Sequence, residues 1–220
     1  MIVSTLRQKK QYFDLGLLQV ICSTPDMPKL YVRNSDMPAL NRMIEAHEDE
    51  LWCISPEDPD ETENYYRALK TAMLLNDWTD EMPDANICER YSVGPGDVYG
   101  MVESVNWLLH ASAELSRMFA SGFQKSVREF EICMKHGIRR ELLPLVKLRG
   151  IGRVRARRLF NNNLTTPDSV LLAGIGTVTT IIGRGIAEQI LTQLRTNKMI
   201  SKLPVSEDPV AGQSTLSRFG

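Results

Sequence analysis

The sequence of 220 residues lacks the features of several common functional classes. No apolar run approaches the ~20 residues of a membrane span, and the N-terminus has no apolar segment typical of a signal peptide. The four cysteines, Cys22, Cys53, Cys88 and Cys133, form no Cys-x-x-Cys pair and have no histidine at ligand spacing. We therefore expect reduced thiols, no metal site, no membrane partner and a cytoplasmic protein.

Two further absences concern chemistry and fold. The sequence contains no Gly-x-x-x-x-Gly-Lys-[Ser/Thr] phosphate loop and no acidic Mg²⁺-binding motif, so we expect no catalytic residue, no bound cofactor and no ATP hydrolysis by this chain alone. Strict alternation of apolar and polar residues is nearly absent, whereas the 3.6-residue period of helices recurs. The sequence thus predicts an all-α protein.

Helical periodicity and its breaks divide the chain into three predicted parts. Residues 1–140 are expected to form a helical bundle, residues 141–203 a small helical domain, and residues 204–220 a flexible tail with too little apolar surface to offset its ordering entropy. In the longest helix Asp97 is the expected N-cap. The predicted helices of the bundle span residues 4–20, 37–52, 61–78, 97–120 and 124–136.

Charge is distributed unevenly along the chain although the formal net charge is only −1. Residues 36–89 contain 15 acidic and 3 basic residues, whereas residues 135–160 contain 9 basic and 1 acidic residue. A basic block of this kind is typical of a surface that binds a polyanion. A solvated helix face, or a dock for an acidic protein, would have the same composition.

The basic block contains residues 145–160, LVKLRGIGRVRARRLF, which fit the helix-hairpin-helix pattern h-x-x-h-x-G-h-G-x-x-x-A-x-x-h at every position. Two glycines allow a tight hairpin and close approach of a ligand, and the helix that follows presents free N–H groups to a phosphate. Such contacts position a nucleic-acid backbone and read no sequence. A purely structural hairpin is the alternative. The candidate DNA-binding residues are Lys147, Arg149, Gly150, Gly152, Arg153, Arg155, Arg157 and Arg158.

A second, degenerate copy of the pattern follows, in which residues 172–176 resemble the hairpin and residues 183–191 resemble a hairpin that enters its helix. Arg184 is the cation near them, so we interpret them mainly as packing partners of the first copy.

Trp107 lies on the polar side of the predicted helix 97–120, about 180° around the helix from the apolar Val98. A base-stacking platform for single-stranded nucleic acid would explain a large ring on this side. Burial against another helix of the bundle is the alternative, which stays open at this point.

Taken together, these segments resemble the C-terminal third of the archaeal superfamily-two DNA helicases related to the helicase half of DNA polymerase theta. The resemblance covers nearly all of residues 12–202 and is carried by Leu15-Gly-Leu-Leu18, Cys22-Ser-Thr-Pro-Asp-Met-Pro-Lys-Leu-Tyr31, Gly94-Pro-Gly-Asp97, Glu103 through Leu109, and Leu148 through Leu159. It implies a ratchet bundle and a helix-hairpin-helix domain, cut from a parent helicase that unwinds forks with 3′–5′ polarity in replication or repair. The resemblance also implies that single-stranded or forked DNA is the partner and that the protein associates with the nucleoid.

The same resemblance assigns ATP and Mg²⁺ to the ATPase lobes of the parent chain, not to this fragment. In the family the ratchet helix contacts the translocating strand with a tryptophan, which Trp107 matches. The arginine expected two turns earlier is replaced by Gly100.

The last eight residues resemble a sliding-clamp-binding peptide, Q-x-x-L-x-x-F, through Gln213, Leu216 and Phe219. The usual second aromatic residue is replaced by Gly220. Three functions are therefore open: the DNA-binding part of a helicase, a freestanding non-enzymatic helix-hairpin-helix DNA-binding or adaptor module, and a helical bundle that binds protein.

Overall fold

A computed structural model describes residues 2–119 and 121–200 of the chain. Within these residues the backbone forms α-helices and no β-strand, which confirms the all-α prediction. None of the described helices is long and apolar enough to cross a membrane. The predicted tail, with Gln213, Leu216 and Phe219, lies outside the described residues. The helices are α1 Ile2–Gln8, α2 Asp14–Cys22, α3 Met37–Ala46, α4 Pro59–Thr79, α5 Asp84–Tyr91, α6 Pro95–Phe119, α7 Gln124–His136, α8 Leu143–Val146, α9 Arg153–Asn161, α10 Pro167–Ile182 and α11 Arg184–Ile200.

Helix α2 lies in the centre of the bundle, and every residue from Leu15 to Cys22 is buried. A helix that is buried on all sides has no polar face, so the sequence pattern does not show where it begins and ends. A Cβ on Gly16 would lie 2.5 Å from the carbonyl oxygen of Glu50, so this close approach requires glycine. The buried Gln19 side chain accepts hydrogen bonds from the N–H groups of Trp52 and Cys53 and thereby fixes the segment after α3.

The single helix predicted over residues 4–20 is wrong, because the structure has two helices, α1 and α2, with a break between them. At the break the Tyr12 ring packs against Trp52 and Phe123, at centroid distances of 6.2 and 5.7 Å. The Arg140 guanidinium lies 5.6 Å from the centroid of the same ring and pairs with Asp14 at the start of α2. These long-range contacts outweigh local helix propensity.

The long helix α6 packs most extensively on α7. It begins at Pro95, two residues before the predicted N-cap, and the Asp97 carboxylate accepts a hydrogen bond from the N–H of Gly94. The apolar side of α6 that begins at Val98 is buried through Val105 and Leu109, whereas Leu115 and Phe119 near its end are exposed.

Two other boundaries differ from the sequence predictions. Helix α3 ends at Ala46 and not at residue 52, and the short α5 was not predicted. By contrast α7 has the predicted bounds and ends at Gly137 in a left-handed conformation, with φ of 61°.

Helices α8 to α11 pack onto the bundle through one continuous hydrophobic cluster. Leu142 and Leu145 belong to this cluster together with Ile151, Ala156 and Leu159 of the hairpin region. The division predicted between residues 140 and 141 falls within a 3₁₀ turn, Arg140–Leu142. The two predicted units therefore share a core, and the division into domains stays a prediction.

Candidate nucleic-acid interface

The predicted hairpin joins α8 to α9. Gly150 has φ of +87°, a conformation that side chains rarely adopt. Leu148 and Ile151 point inward and are each 4% exposed, while Ala156 is fully buried. The apolar frame of the motif therefore holds the hairpin against the core, and Gly152, exposed and extended, forms the N-cap of α9.

Helix α11 supports the back of the hairpin. The backbone N–H of Arg149 donates to the side-chain oxygen of Gln193 over 3.1 Å. A Cβ on Gly150 would touch Gln189 and Ile186 at 3.7 and 3.8 Å. The first N–H groups of α9 have no acceptor within the helix, so together with the helix dipole they form an electropositive surface beside the hairpin.

The inner face of α9, which carries Arg153 and Arg157 four residues apart, points toward the bundle. The Arg157 guanidinium donates two hydrogen bonds, of 2.8 and 2.6 Å, to the Glu81 carboxylate and also contacts Glu141 at 2.7 Å. The Arg153 guanidinium lies 5.1 Å from the centroid of the Trp78 ring. These two arginines connect α9 to the acidic region of the chain, residues 36–89.

Burial and charge perturb the groups at this junction. Burial raises the pKa of the Glu81 carboxyl, but hydrogen bonds from Arg157 and from the backbone N–H of Arg139 outweigh burial, so the pKa lies below its usual value. Burial lowers the pKa of the Arg153 guanidinium, against the attraction of Asp84, whose carboxylate lies 3.5 Å away. The Arg153 side chain also donates to the carbonyl oxygen of Met82.

The outer face of α9 carries Arg155 and Arg158, three residues apart and both exposed. Arg155 donates to the carbonyl oxygen of Gly150 over 2.9 Å, which keeps its guanidinium at the hairpin. In the described part of the chain the side chains of Lys147, Arg149 and Arg158 have no hydrogen-bond or ion-pair partner. These four side chains are the cations of the hairpin that remain available to a ligand.

Trp107 is exposed, with 67% of its surface accessible. It therefore does not pack against another helix among the described residues, contrary to the burial alternative. Gly100, two turns earlier, is also exposed, and a Cβ there would touch nothing within 4 Å. On the same side of α6, His110 lies 2.9 Å from the Glu131 carboxylate.

The structure thus separates the candidate residues into an exposed group and an inward-facing group, and it shows contacts of the second group that the sequence did not predict. The glycines, Lys147, Arg149, Arg155 and Arg158 lie around one exposed hairpin, whereas Arg153 and Arg157 face inward. Their spacing of four residues was a signal that they share a face. Nothing local in the sequence indicated that this face would meet Glu81, because the two residues are 76 positions apart.

The described residues thus define the class of the protein as an all-α helical bundle joined to an exposed helix-hairpin-helix. A family model described as archaeal helicase, domain 4, matches residues 15–137. The ATP-dependent DNA helicase Hel308 of Methanocella arvoryzae is 34% identical over 219 residues, which is 97% of this chain and 30% of that protein. The helicase of the same name from Pyrococcus horikoshii is 34% identical over 193 residues, 86% of this chain and 27% of its own length.

The Hel308 helicase of Pyrococcus abyssi is similar as well, with 32% identity over 202 residues, 90% of this chain and 28% of the relative. The chain therefore belongs to the archaeal helicase domain 4 family, which confirms the resemblance to archaeal DNA helicases. It spans less than a third of the length of these curated relatives.

Proposed function

We propose that this chain is the strand-gripping part of an ATP-dependent DNA helicase and binds single-stranded or forked DNA without sequence preference. Four exposed cations around the hairpin, Lys147, Arg149, Arg155 and Arg158, carry the proposal. Strand unwinding with 3′–5′ polarity, at forks in replication or repair, is proposed for a longer protein of which these residues form part.

The hairpin supplies the phosphate contacts in this proposal. A backbone phosphate lies at the N-terminus of α9, where free N–H groups donate to it and the helix dipole favours its charge. The cations of the outer face flank that position and neutralise neighbouring phosphates. Gly152 adds no side chain between the helix and the ligand, so the backbone can approach closely.

Trp107 supplies the stacking contact. Its exposed ring on α6 offers a face to an unpaired base, a contact worth ~1–3 kcal/mol. The resemblance leads us to expect an arginine at position 100, but Gly100 has no side chain and so provides no second contact with the strand on α6. We therefore propose that the outer face of α9 supplies more of the affinity than α6 does.

The remaining parts of the proposal concern the longer protein. ATP and Mg²⁺ would bind to ATPase lobes of the parent chain, and a helicase of this kind would be cytoplasmic and associated with the nucleoid. Docking of a sliding clamp on Gln213, Leu216 and Phe219 stays a prediction.

Fluorescence anisotropy with a labelled oligo(dT) strand, titrated at several salt concentrations, tests the proposed interface. The Arg149→Ala/Arg158→Ala variant should weaken binding about tenfold or more, because hydrogen bonds between charged groups are lost. Since each phosphate contact on a single strand contributes about 0.7 to the slope of log affinity against log salt, the slope should fall by about 1.4.

The matched control is Lys125→Ala/Lys135→Ala, which removes two exposed cations of α7 that are not part of the hairpin motif, residues 145–160. It should leave affinity and slope nearly unchanged. Equal effects of the two double variants, or no effect of the hairpin variant, would contradict the proposal.

A further inference from the structure

The chain from the end of α2 toward α3 contains the string Cys22 through Tyr31, which carries part of the resemblance to archaeal helicases but has no obvious chemical purpose in the sequence. Residues 28–33 of this segment have no regular secondary structure. Leu30 is 7% exposed, whereas Tyr31 beside it is 69% exposed. Four of the ten residues of the string are buried, namely Cys22, Thr24, Met27 and Leu30, whereas the large ring of Tyr31 is exposed to solvent.

The backbone beneath Tyr31 is held firmly against α4. The N–H of Leu30 donates to the Thr71 hydroxyl over 2.9 Å, and the buried Lys70 donates to the carbonyl oxygen of Tyr31 over 3.0 Å. Lys70 is itself paired with Asp36 at 2.6 Å. An aromatic ring on a fixed backbone loses little conformational entropy on binding a ligand.

Cations converge on this segment although the surrounding sequence is strongly acidic. Between Asp36 and Glu89 the chain has three basic residues, and two of them, Arg67 and Lys70, lie here on α4. Lys29 belongs to the segment itself. The Thr71 hydroxyl that accepts from the N–H of Leu30 donates in turn to the carbonyl oxygen of Arg67 over 2.8 Å, so Arg67 lies one helical turn from the contact between α4 and the segment. Burial is the main cause that lowers the pKa of Lys29, and the positive charge of Arg67 adds to it.

Arg67 has hydrogen-bonding capacity that the fold does not use. Its Nε is buried without a hydrogen-bond partner among the described residues. Its terminal nitrogen lies 3.8 Å from the exposed Glu63 carboxylate, which is too long for a hydrogen bond. Lys29 donates one hydrogen bond, of 2.8 Å, to the carbonyl oxygen of Thr24, so other N–H groups of its ammonium remain for a ligand. An anion at this position would satisfy the Nε of Arg67, which is costly to leave buried without a partner.

We propose that Lys29, Tyr31 and Arg67 form a second contact site for single-stranded nucleic acid, separate from the hairpin and from Trp107. A backbone phosphate accepts hydrogen bonds from Arg67 and Lys29, and the adjoining base stacks on the Tyr31 ring. This inference rests on the proposed function, since both require a nucleic-acid strand as ligand. It gives the string between α2 and α3 a role beyond packing.

Two substitutions in the 220-residue chain separate the stacking contact from the ionic one. Tyr31→Ala should weaken oligo(dT) binding about fivefold or more, with an unchanged salt slope, because a stacked base carries no counterion release. Arg67→Gln should weaken binding and also lower the slope by about 0.7. Arg42→Ala, at the third basic residue of the acidic region, is the matched control and should change neither quantity.

The melting temperature of each variant must match that of the wild type, which Tyr31→Ala should satisfy because its ring is exposed. Binding that is unchanged in Tyr31→Ala and Arg67→Gln but lost in the hairpin variant would overturn this inference and leave the proposed function intact. Absence of wild-type binding would overturn both. If inorganic phosphate stabilises the wild type but not Arg67→Gln, and Tyr31→Ala binds oligo(dT) normally, the site takes a free anion and the nucleic-acid assignment is wrong.

Discussion

Two pairs of like residues in this molecule have opposite surroundings. Arg157 and Arg158 are neighbours on α9, yet Arg157 is held by Glu81 and Glu141 whereas Arg158 has no partner among the described residues. Trp78 is 6% exposed and carries Arg153 on its ring, while Trp107 is 67% exposed. Residue type alone therefore does not distinguish a binding residue from a structural one in this chain.

The same difference in surroundings reduces the number of residues in the basic block, residues 135–160, that can contact a polyanion. Of its nine basic residues, four are ion-paired within the protein: Arg139, Arg140, Arg153 and Arg157. Arg139, Arg153 and Arg157 pair with Asp80, Asp84 and Glu81 and so connect the basic block to the acidic region, residues 36–89. Charge segregation in the sequence therefore partly reflects the packing of one region on the other. The cations left for a polyanion are fewer than the composition suggests, and four of the remaining five lie around the hairpin: Lys147, Arg149, Arg155 and Arg158.

The two tryptophans should give the largest contrast. Trp78→Ala should lower the free energy of unfolding by ~3–5 kcal/mol, because the ring is buried and its indole N–H donates to the carbonyl oxygen of Met134. Trp107→Ala should lower it by less than about 1 kcal/mol. Instead it should weaken oligo(dT) binding by ~1–3 kcal/mol and abolish most of the fluorescence quench that the strand causes.

Urea unfolding and oligonucleotide titration of both variants check this contrast. A loss of stability in Trp107→Ala as large as in Trp78→Ala would show that Trp107 belongs to the core and would remove the stacking role.

The two neighbouring arginines should give the next largest contrast. Arg157→Ala leaves the Glu81 carboxylate, 12% exposed, without its main hydrogen-bond donor. We expect a loss of about 2–3 kcal/mol in the free energy of unfolding, with little change in oligonucleotide affinity.

Arg158→Ala is the matched control one residue along the same helix. It should change stability by no more than about 0.5 kcal/mol and should weaken binding with a shallower salt slope. If Arg157→Ala weakens binding as much as Arg158→Ala without loss of stability, the inner face is also a binding surface.

How much the sequence could predict depends on how local each cause is. The hairpin followed from Gly150, Gly152 and Ala156, because their spacing meets steric needs within a few residues. The break at Tyr12 and the pairing of Arg157 with Glu81 could not be predicted, since their partners lie far along the chain. Pattern arguments therefore located the hairpin and its cations but could not distinguish the arginines that are ion-paired within the protein from those that are not.

The smallest predicted effect is a difference between Arg157→Ala and Arg158→Ala in how the free energy of unfolding depends on pH. Hydrogen bonds hold the pKa of Glu81 below its usual value, so the unfolded state binds more protons between the two pKa values. The stabilisation is complete above the ordinary carboxyl pKa of ~4.3 and is lost as the pH falls through the folded-state pKa.

In Arg157→Ala, burial should raise the pKa of Glu81 instead, so protonation of Glu81 at low pH should remove the cost of its buried, unpaired charge. The stability difference between wild type and Arg157→Ala should consequently shrink by about 1 kcal/mol or more between pH 7 and pH 3.5, while that for Arg158→Ala stays flat. Urea unfolding across this range checks it, and a constant Arg157→Ala difference would mean that Glu81 is not the partner that stabilises the inner face.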